Sequence, residues 1–436
     1  MIKPELILPG GDLERVKVAF AYGADAVYVG LNKHSLRKAE VRFDIPQIKE
    51  AIEHAHSLGK RLFVTFNIFA HNDQLADIER DMKEIASYGP DAFIMADIGV
   101  INIAKRVAPQ VLIHISTQAN TVNIEDVRFW RDYGAKRVVL ARELTLAEIG
   151  QIHQAVPDIE LEAFVHGSMC ISYSGRCLMS NYMTGRSANL GDCAQPCRWN
   201  YRVCARVSND KLRVSNKSEL RKSQNQSELV NQNSELFLEE IKRPGEYFPI
   251  EETENGTNIM SSRDLALVEY LPEILDAGVV GLKIEGRNKS EYYLATVGYT
   301  YKKALDLIEV GKYDQKAKNE LRAELDKVNN REYTTGFILG DAKKGETYEG
   351  RSPIREWDYV GQLIDDRGQI IVKNKLAKGD KVEVLTPDKL YQDEILAITS
   401  LEGHELTEVN PGKTDQKAIV KLKNNYPANS FIRKKL

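Results

Sequence analysis

Four of the five cysteines in this 436-residue chain fall in one stretch, at Cys170, Cys177, Cys193 and Cys197. Their spacing is C-x6-C-x15-C-x3-C, and Cys204 follows outside the pattern. Thiolates are soft ligands, so a clustered set points to a metal rather than to core filling. Incidental buried thiols, a structural zinc and an iron–sulfur cluster are the competing readings. Zinc sites favour paired knuckles with cysteines two to four residues apart. Only Cys193 and Cys197 have such spacing, whereas an all-thiolate set with uneven spacing suits an iron–sulfur cluster. Four residues before Cys170 stands His166, a candidate acid–base group or, equally, a histidine bonded to backbone.

Something must position these groups, and the first 290 residues show what. Eight short apolar runs, at 5–8, 26–29, 62–66, 92–95, 112–115, 137–140, 160–164 and 281–284, read as strands. Amphipathic helical stretches separate most of them, several closed by a glycine (Gly23, Gly59, Gly89, Gly134) where a left-handed C-cap belongs. Continuous rather than alternating apolar runs indicate parallel strands covered on both faces. The expected fold is α/β, a (β/α)8 TIM-type barrel, with an open doubly wound sheet as the alternative. No G-x-G-x-x-G follows the first strand, which weakens a dinucleotide-binding reading.

Barrel chemistry sits at the C-terminal strand ends. Those ends read Gly10–Gly11, Gly30, Asn67, Asp97, Thr117, Gln118, Asn120, Arg142, Glu143, His166, Glu285 and Arg287. From them His166, Asp97 and Glu285 are taken as catalytic candidates, and Arg142, Arg287, Gln118 and Asn67 as substrate contacts. Capping of strands and loops is the alternative role for such polar residues. His114, inside the fifth run, reads as core. The cysteine stretch follows the seventh strand directly, so its loop, 166–204, opens on the same face.

The barrel is expected to span 1–350, interrupted at about 205–236 by a polar, weakly ordered insertion rich in Ser, Asn, Gln and Lys. Asn255-Gly256 marks a hairpin turn. Ser262 and Asp264 are placed to cap a helix over 265–275. Two helices, at 291–310 and 315–328, follow the last strand. From 355 to 436 short strands with turn residues between them predict a small all-β barrel domain.

Bulk properties narrow the setting. Net charge is −3, so there is no global basic signal for nucleic acid. The N-terminus lacks a signal-peptide pattern and no apolar run approaches 18 residues, so a cytoplasmic protein with no membrane partner is expected. In a reducing compartment, clustered cysteines favour metal or redox chemistry over disulfides.

The run from Glu162 to Ser180, EAFVHGSMCISYSGRCLMS, resembles without a gap the signature of the U32 peptidase-like family. ELILPGG, AYGADAVYVG, CRWNYRV, RPGEYF and LKIEGRNKS extend the likeness over nearly the whole chain. They are similar to one branch, the prephenate-dependent tRNA uridine(34) hydroxylases. The resemblance implies a (β/α)8 barrel and a [4Fe-4S] cluster on Cys170, Cys177, Cys193 and Cys197. It implies conversion of the wobble uridine of tRNA to 5-hydroxyuridine with prephenate, and leaves the electron donor unassigned. Some relatives take a ligand from the segment that here reads SSRDLALVEY; residue 266 is Ala, so the fourth ligand rests on Cys197. Arg142 and Arg287 suit the two carboxylates of prephenate, since guanidinium binds carboxylate as a fork.

An RNA substrate needs positive surface. Arg176, Arg186 and Arg198, with Arg202 and Arg206, face one acid, Asp192, across 170–206. Seven Lys or Arg face only Asp415 across 413–436. Two such runs are consistent with a two-point grip on phosphates, although each alone is more often a solvated face. The peptidase alternative lacks a mechanism: there is no G-x-S-x-G, no H-E-x-x-H, and cluster-bound thiols are unavailable as nucleophiles. A non-catalytic RNA-binding module with a structural metal is the third reading.

Overall fold

The computed structural model describes residues 3–31, 33–34, 43–169, 172–177, 179–184, 186, 193–199, 201–206, 212–214, 236–240, 247–250, 263–340, 354–412 and 416–436; for 181–183, 198, 201–206, 212–214, 236–238, 240 and 247–250 it gives the backbone only.

Seven parallel strands follow in order: β1 (Glu5–Pro9), β2 (Ala26–Gly30), β3 (Arg61–Phe66), β4 (Ala92–Met95), β5 (Leu112–Ile115), β6 (Arg137–Val139) and β7 (Glu160–Ser168). Val279–Ile284 is the eighth, pairing in parallel with both β1 and β7 and closing the barrel. The (β/α)8 expectation is therefore met. Helices α1 (Leu13–Ala21), α2 (Ile45–Ser57), α3 (Leu75–Ala86), α4 (Ile98–Val107), α5 (Ile124–Asp132) and α6 (Leu146–Ala155) cover the outside. Their starts are chemically fixed: Asp12, Asp44, Asp97, Asn123 and Thr145 each accept a hydrogen bond from a first-turn N–H. The apolar layer between strands and helices forms one continuous core.

The barrel interior is different. Glu5, Arg137 and Glu160 sit at the N-terminal ends of their strands and meet below the mouth. Arg137 reaches Glu5 at 2.6 Å, Glu160 at 2.6 Å and Glu162 at 3.1 Å. Glu162 in turn holds Lys283 at 2.5 Å. Phe63 and His114 pack edge to face beside this network with ring centres 4.8 Å apart. His114 is core, as expected, and burial followed by the nearby cations holds its pKa well below the usual imidazole range.

Three features depart from the sequence expectation. Strand β7 runs four residues past its apolar stretch, to Ser168. Against that extension lies Asp264–Ala266, an antiparallel strand where a helix cap was expected. Its backbone N–H and C=O groups find partners on β7, and Leu265 and Ala266 bury there, which a helix at this position would forgo. The helix begins only at Leu271 and ends at Asp276; Ser262 and the Asn255-Gly256 turn lie outside the described residues. The edges of the polar insertion are also ordered into strands. Tyr201–Arg206, which carries Cys204, pairs with Leu212–Val214 on one side and Leu236–Glu240 on the other, and Tyr247–Ile250 completes a four-stranded antiparallel sheet. Most of 207–235 lies outside the described residues.

Helices Glu291–Glu309 and Gln315–Leu325 follow the barrel. From Trp357 an eight-stranded, mainly antiparallel sheet curls half-barrel-like around its own core of Val360, Ile370, Val384 and Ile432. Among the described residues no pairing joins the two ends of that sheet, and no helix is long and apolar enough to cross a membrane.

Candidate active site

At the C-terminal mouth of the barrel is a cavity of about 160 Å³. An apolar cavity of about 150 Å³ takes one benzene, so this space fits one six-membered ring. Barrel residues form one side: Tyr28, Thr65, Asn67, Ile94, Ser116, Thr117, Gln118, Val139, Arg142, Phe164, Lys283, Glu285 and Arg287. The segment after β7 forms the other, with Ser174, Gly175, Cys177, Met179, Cys193, Pro196 and Cys197.

Close backbone approach seats that segment. Gly167 has φ of +109°, and a Cβ there would lie 2.6 Å from the carbonyl oxygen of Glu285. Gly175 has φ of +73°, and a Cβ would lie 2.0 Å from the carbonyl oxygen of Gln118. Only glycine allows both the dihedral and the contact. Glu143, at the end of β6, accepts from the Ser174 N–H at 2.9 Å and the Ser174 hydroxyl at 3.1 Å. Farther along, the fully buried Ser180 hydroxyl accepts from the Ala194 N–H at 2.9 Å, and the Trp199 indole donates to the Ala194 carbonyl at 3.1 Å. These bonds draw the Cys177 and Cys193–Cys197 regions together, although 16 positions separate Cys177 from Cys193.

Cations line the cavity beside aromatic faces. Arg142 donates to the Ser168 carbonyl at 3.0 Å and lies 4.0 Å from the Phe164 ring centre. Arg287 donates to the Thr65 hydroxyl at 3.2 Å and lies 5.7 Å from the ring of Tyr28. Lys283 sits 4.3 Å over the same ring. Burial pulls the Lys283 ammonium down from its ordinary pKa, while Glu162 favours the charged form. The Glu285 carboxylate accepts from the Ser168 N–H at 3.4 Å. The site is therefore a small positive pocket with hydroxyl and amide groups on its walls, suited to a compact anion with a ring.

Of the residues expected to act, Asn67, Gln118, Arg142, Glu285, Arg287, Cys177, Cys193 and Cys197 line this one cavity. His166 and Asp97 are not among its lining residues. His166 is 1% exposed, enclosed by Tyr293, Tyr301 and Tyr333, with neither ring nitrogen hydrogen-bonded. Burial pushes its pKa down to about 3. Asp97 caps α4, its carboxylate accepting from the Val100 N–H at 2.9 Å. Arg176 is exposed and Arg186 half-buried on the cysteine segment; Cys170 and the side chain of Arg198 lie outside the described residues. Sequence reasoning passed over Tyr28, Thr65, Ser174 and above all Lys283. The signal for Lys283 was present, as a charged residue inside an otherwise apolar strand, matched by Glu162 in β7.

Cys177, Cys193 and Cys197 are half-buried, with Met179 and Pro196 on the same wall. Among the described residues no three His, Cys, Asp or Glu side chains are grouped closely enough to hold a metal ion. Three cysteines on one cavity wall are soft donors by type, unlike the oxygen ligands a hard cation takes.

Residues 11–348 match Peptidase family U32, and residues 355–433 match the Peptidase family U32 C-terminal domain. The chain belongs to peptidase family U32. Within curated proteins it is 40% identical over 398 residues to tRNA hydroxylation protein P of Escherichia coli (strain K12), covering 89% of this chain and 87% of that one. It is 36% identical to tRNA hydroxylation protein P1 of Bacillus subtilis (strain 168), covering 93% and 89%. Similarity extends to the 23S rRNA 5-hydroxycytidine C2501 synthase of E. coli, 31% identical over 87% of this chain and 52% of that one.

Proposed function

We propose that this U32 chain is an RNA-modifying hydroxylase that converts the wobble uridine 34 of tRNA to 5-hydroxyuridine, with prephenate as co-substrate. The observation that carries this reading is the shared cavity: three thiols, a buried lysine, two arginines and a carboxylate open on a space sized for one ring. Near-full-length relatives named as tRNA hydroxylation proteins support the substrate class, and the rRNA hydroxycytidine synthase supports hydroxylation of a pyrimidine.

In this reading Cys170, Cys177, Cys193 and Cys197 hold a [4Fe-4S] cluster, which would supply one-electron redox chemistry at the cavity wall. Arg142 and Arg287 bind carboxylates of prephenate, each aligned by its hydrogen bond and flanked by an aromatic face. Lys283 adds a third positive charge from below. Gln118 and Asn67 present amides able to donate and accept at whichever ring, prephenate or uracil, occupies this space in turn. Uridine 34 lies in a single-stranded loop, so exposing its C5 edge costs little unstacking. Glu285, whose carboxylate accepts from the Ser168 N–H on this wall, is the proton-exchanging group of this reading.

Nucleoside analysis of tRNA from a deletion strain tests the reading. 5-Hydroxyuridine and its derivatives should vanish and return with the wild-type gene but not with Cys177→Ala. Unchanged tRNA nucleosides in the deletion strain would overturn it. Anaerobically purified protein should be brown; a colourless protein with one bound zinc would overturn the cluster assignment.

A further inference from the structure

A second, larger cavity, of about 550 Å³, lies where the barrel meets the C-terminal sheet. Its lining is unlike that of the first. Among the described residues lining it, Lys289, Arg331 and Arg355 accompany one carboxylate, Asp264, with Arg355 also paired to Asp358 just outside the lining, and the amides of Asn288, Asn329 and Asn374 stand among them. Cations of this density suit phosphate, and carboxamides both donate and accept, which suits base edges. Among the described residues no cysteine lines this groove.

Its position matters as much as its chemistry. Two short turns separate it from the active-site cavity. Glu285 and Arg287 line the first space, and Asn288 and Lys289, next in the chain, line the second. Likewise Cys193, Pro196 and Cys197 line the first space and Gln195 the second. Gln195 takes a left-handed backbone, φ 55°, where the chain reverses between them. The same two turns thus wall both cavities, which puts the groove beside the active site.

The groove is also preformed. Tyr292 of the barrel stacks on Tyr359 of the C-terminal sheet, ring centres 4.8 Å apart. Arg433, fully buried, bonds Glu324 at 2.6 Å on the barrel side and Glu383 at 2.7 Å on its own. Such a fixed cleft binds without first ordering itself.

We propose that this groove holds the nucleotide adjoining the target base: single-stranded RNA, its phosphate on Lys289, Arg331 and Arg355, its base edge on Asn288 and Asn329. The inference rests on the reading of RNA as substrate and gives the C-terminal sheet a role in positioning it. About 550 Å³ lies within the range of small-ligand pockets and accommodates one nucleotide.

The test uses the full-length protein with its cofactor and a fluorescein-labelled anticodon stem–loop RNA with uridine at the wobble position. Asn288, Asn329 and Lys289 are exposed or half-buried, so their substitution leaves the core intact. Asn329→Ala and Lys289→Ala should each weaken binding about tenfold in anisotropy titrations, and Lys289→Ala should lower the log–log salt slope by about one. A stem–loop with 4-thiouridine beside the wobble position should crosslink, in the wild-type chain, to peptides containing 288–290 or 329–331. If wild type binds the RNA while both variants bind as tightly and crosslinks fall elsewhere, the groove assignment is wrong and the RNA reading stands. If wild type does not bind the RNA, both fail. Should a variant lose its thermal midpoint, the wild-type crosslink decides alone.

Discussion

Arg287 is 7% exposed, bonded to Thr65 and set beside Tyr28, so its fork geometry is fixed before any ligand arrives. A lysine keeps the charge and loses the fork. Arg287→Lys should raise the KM for prephenate, the proposed co-substrate, about tenfold with little change in kcat, measured in steady-state assays on stem–loop RNA. His166 makes a prediction of the opposite kind, on stability. Burial pushes its folded pKa down to about 3, against about 6.5 for an ordinary imidazole. Between those values the unfolded chain binds a proton that the folded chain refuses. Its contribution to stability is complete above about pH 6.5 and is lost as pH falls towards 3, at up to about 1.4 kcal/mol per pH unit. His166→Phe should flatten that part of the curve of urea midpoint against pH; an unchanged slope would refute the assignment. The residue types of the site were readable because the cysteines, Arg142 and Arg287 are conspicuous at strand ends. His166 was equally conspicuous, yet its burial depends on three tyrosines supplied by distant segments, which spacing does not reveal. Lys283 was overlooked although its signal, a charge inside an apolar strand, stands in the sequence.

The eight barrel strands were legible as elements because most are short, largely continuous apolar runs bounded by polar turns. The extension of β7 was not, since GS carries no strand signal; it is paired because Asp264–Ala266 returns to meet it. The last strand of the chain, Phe431–Lys435, is likewise masked by its own charges. Seating of the cysteine segment rests on an element-scale contact, the crossing of Gly175 over Gln118. Gly175→Val puts carbon atoms where the Gln118 carbonyl lies and strains a positive φ, so the segment must shift. The expected outcome is loss of visible absorbance and of hydroxylation, with the barrel's far-ultraviolet circular dichroism retained.

Over the whole molecule the two domains share interior. Leu385 and Phe431 of the C-terminal sheet belong to the barrel's own core, and the Tyr22 hydroxyl donates to the Leu385 and Asn429 carbonyls at 2.9 and 2.8 Å. One calorimetric transition is expected rather than two. Arg433→Met leaves Glu324 and Glu383 with Lys327 alone between them, and should cost about 3 kcal/mol, read from urea denaturation. Closure of the barrel carries a further consequence, for synthesis. The partner shared by β1 and β7 is Val279–Ile284, so a nascent chain holds two open parallel edges until that strand leaves the ribosome. All four clustered cysteines emerge during that interval, before the mouth that Cys177, Cys193 and Cys197 line has a closed rim. Slower translation through the intervening segment prolongs the exposure of both edges, and yield of soluble protein should fall with it.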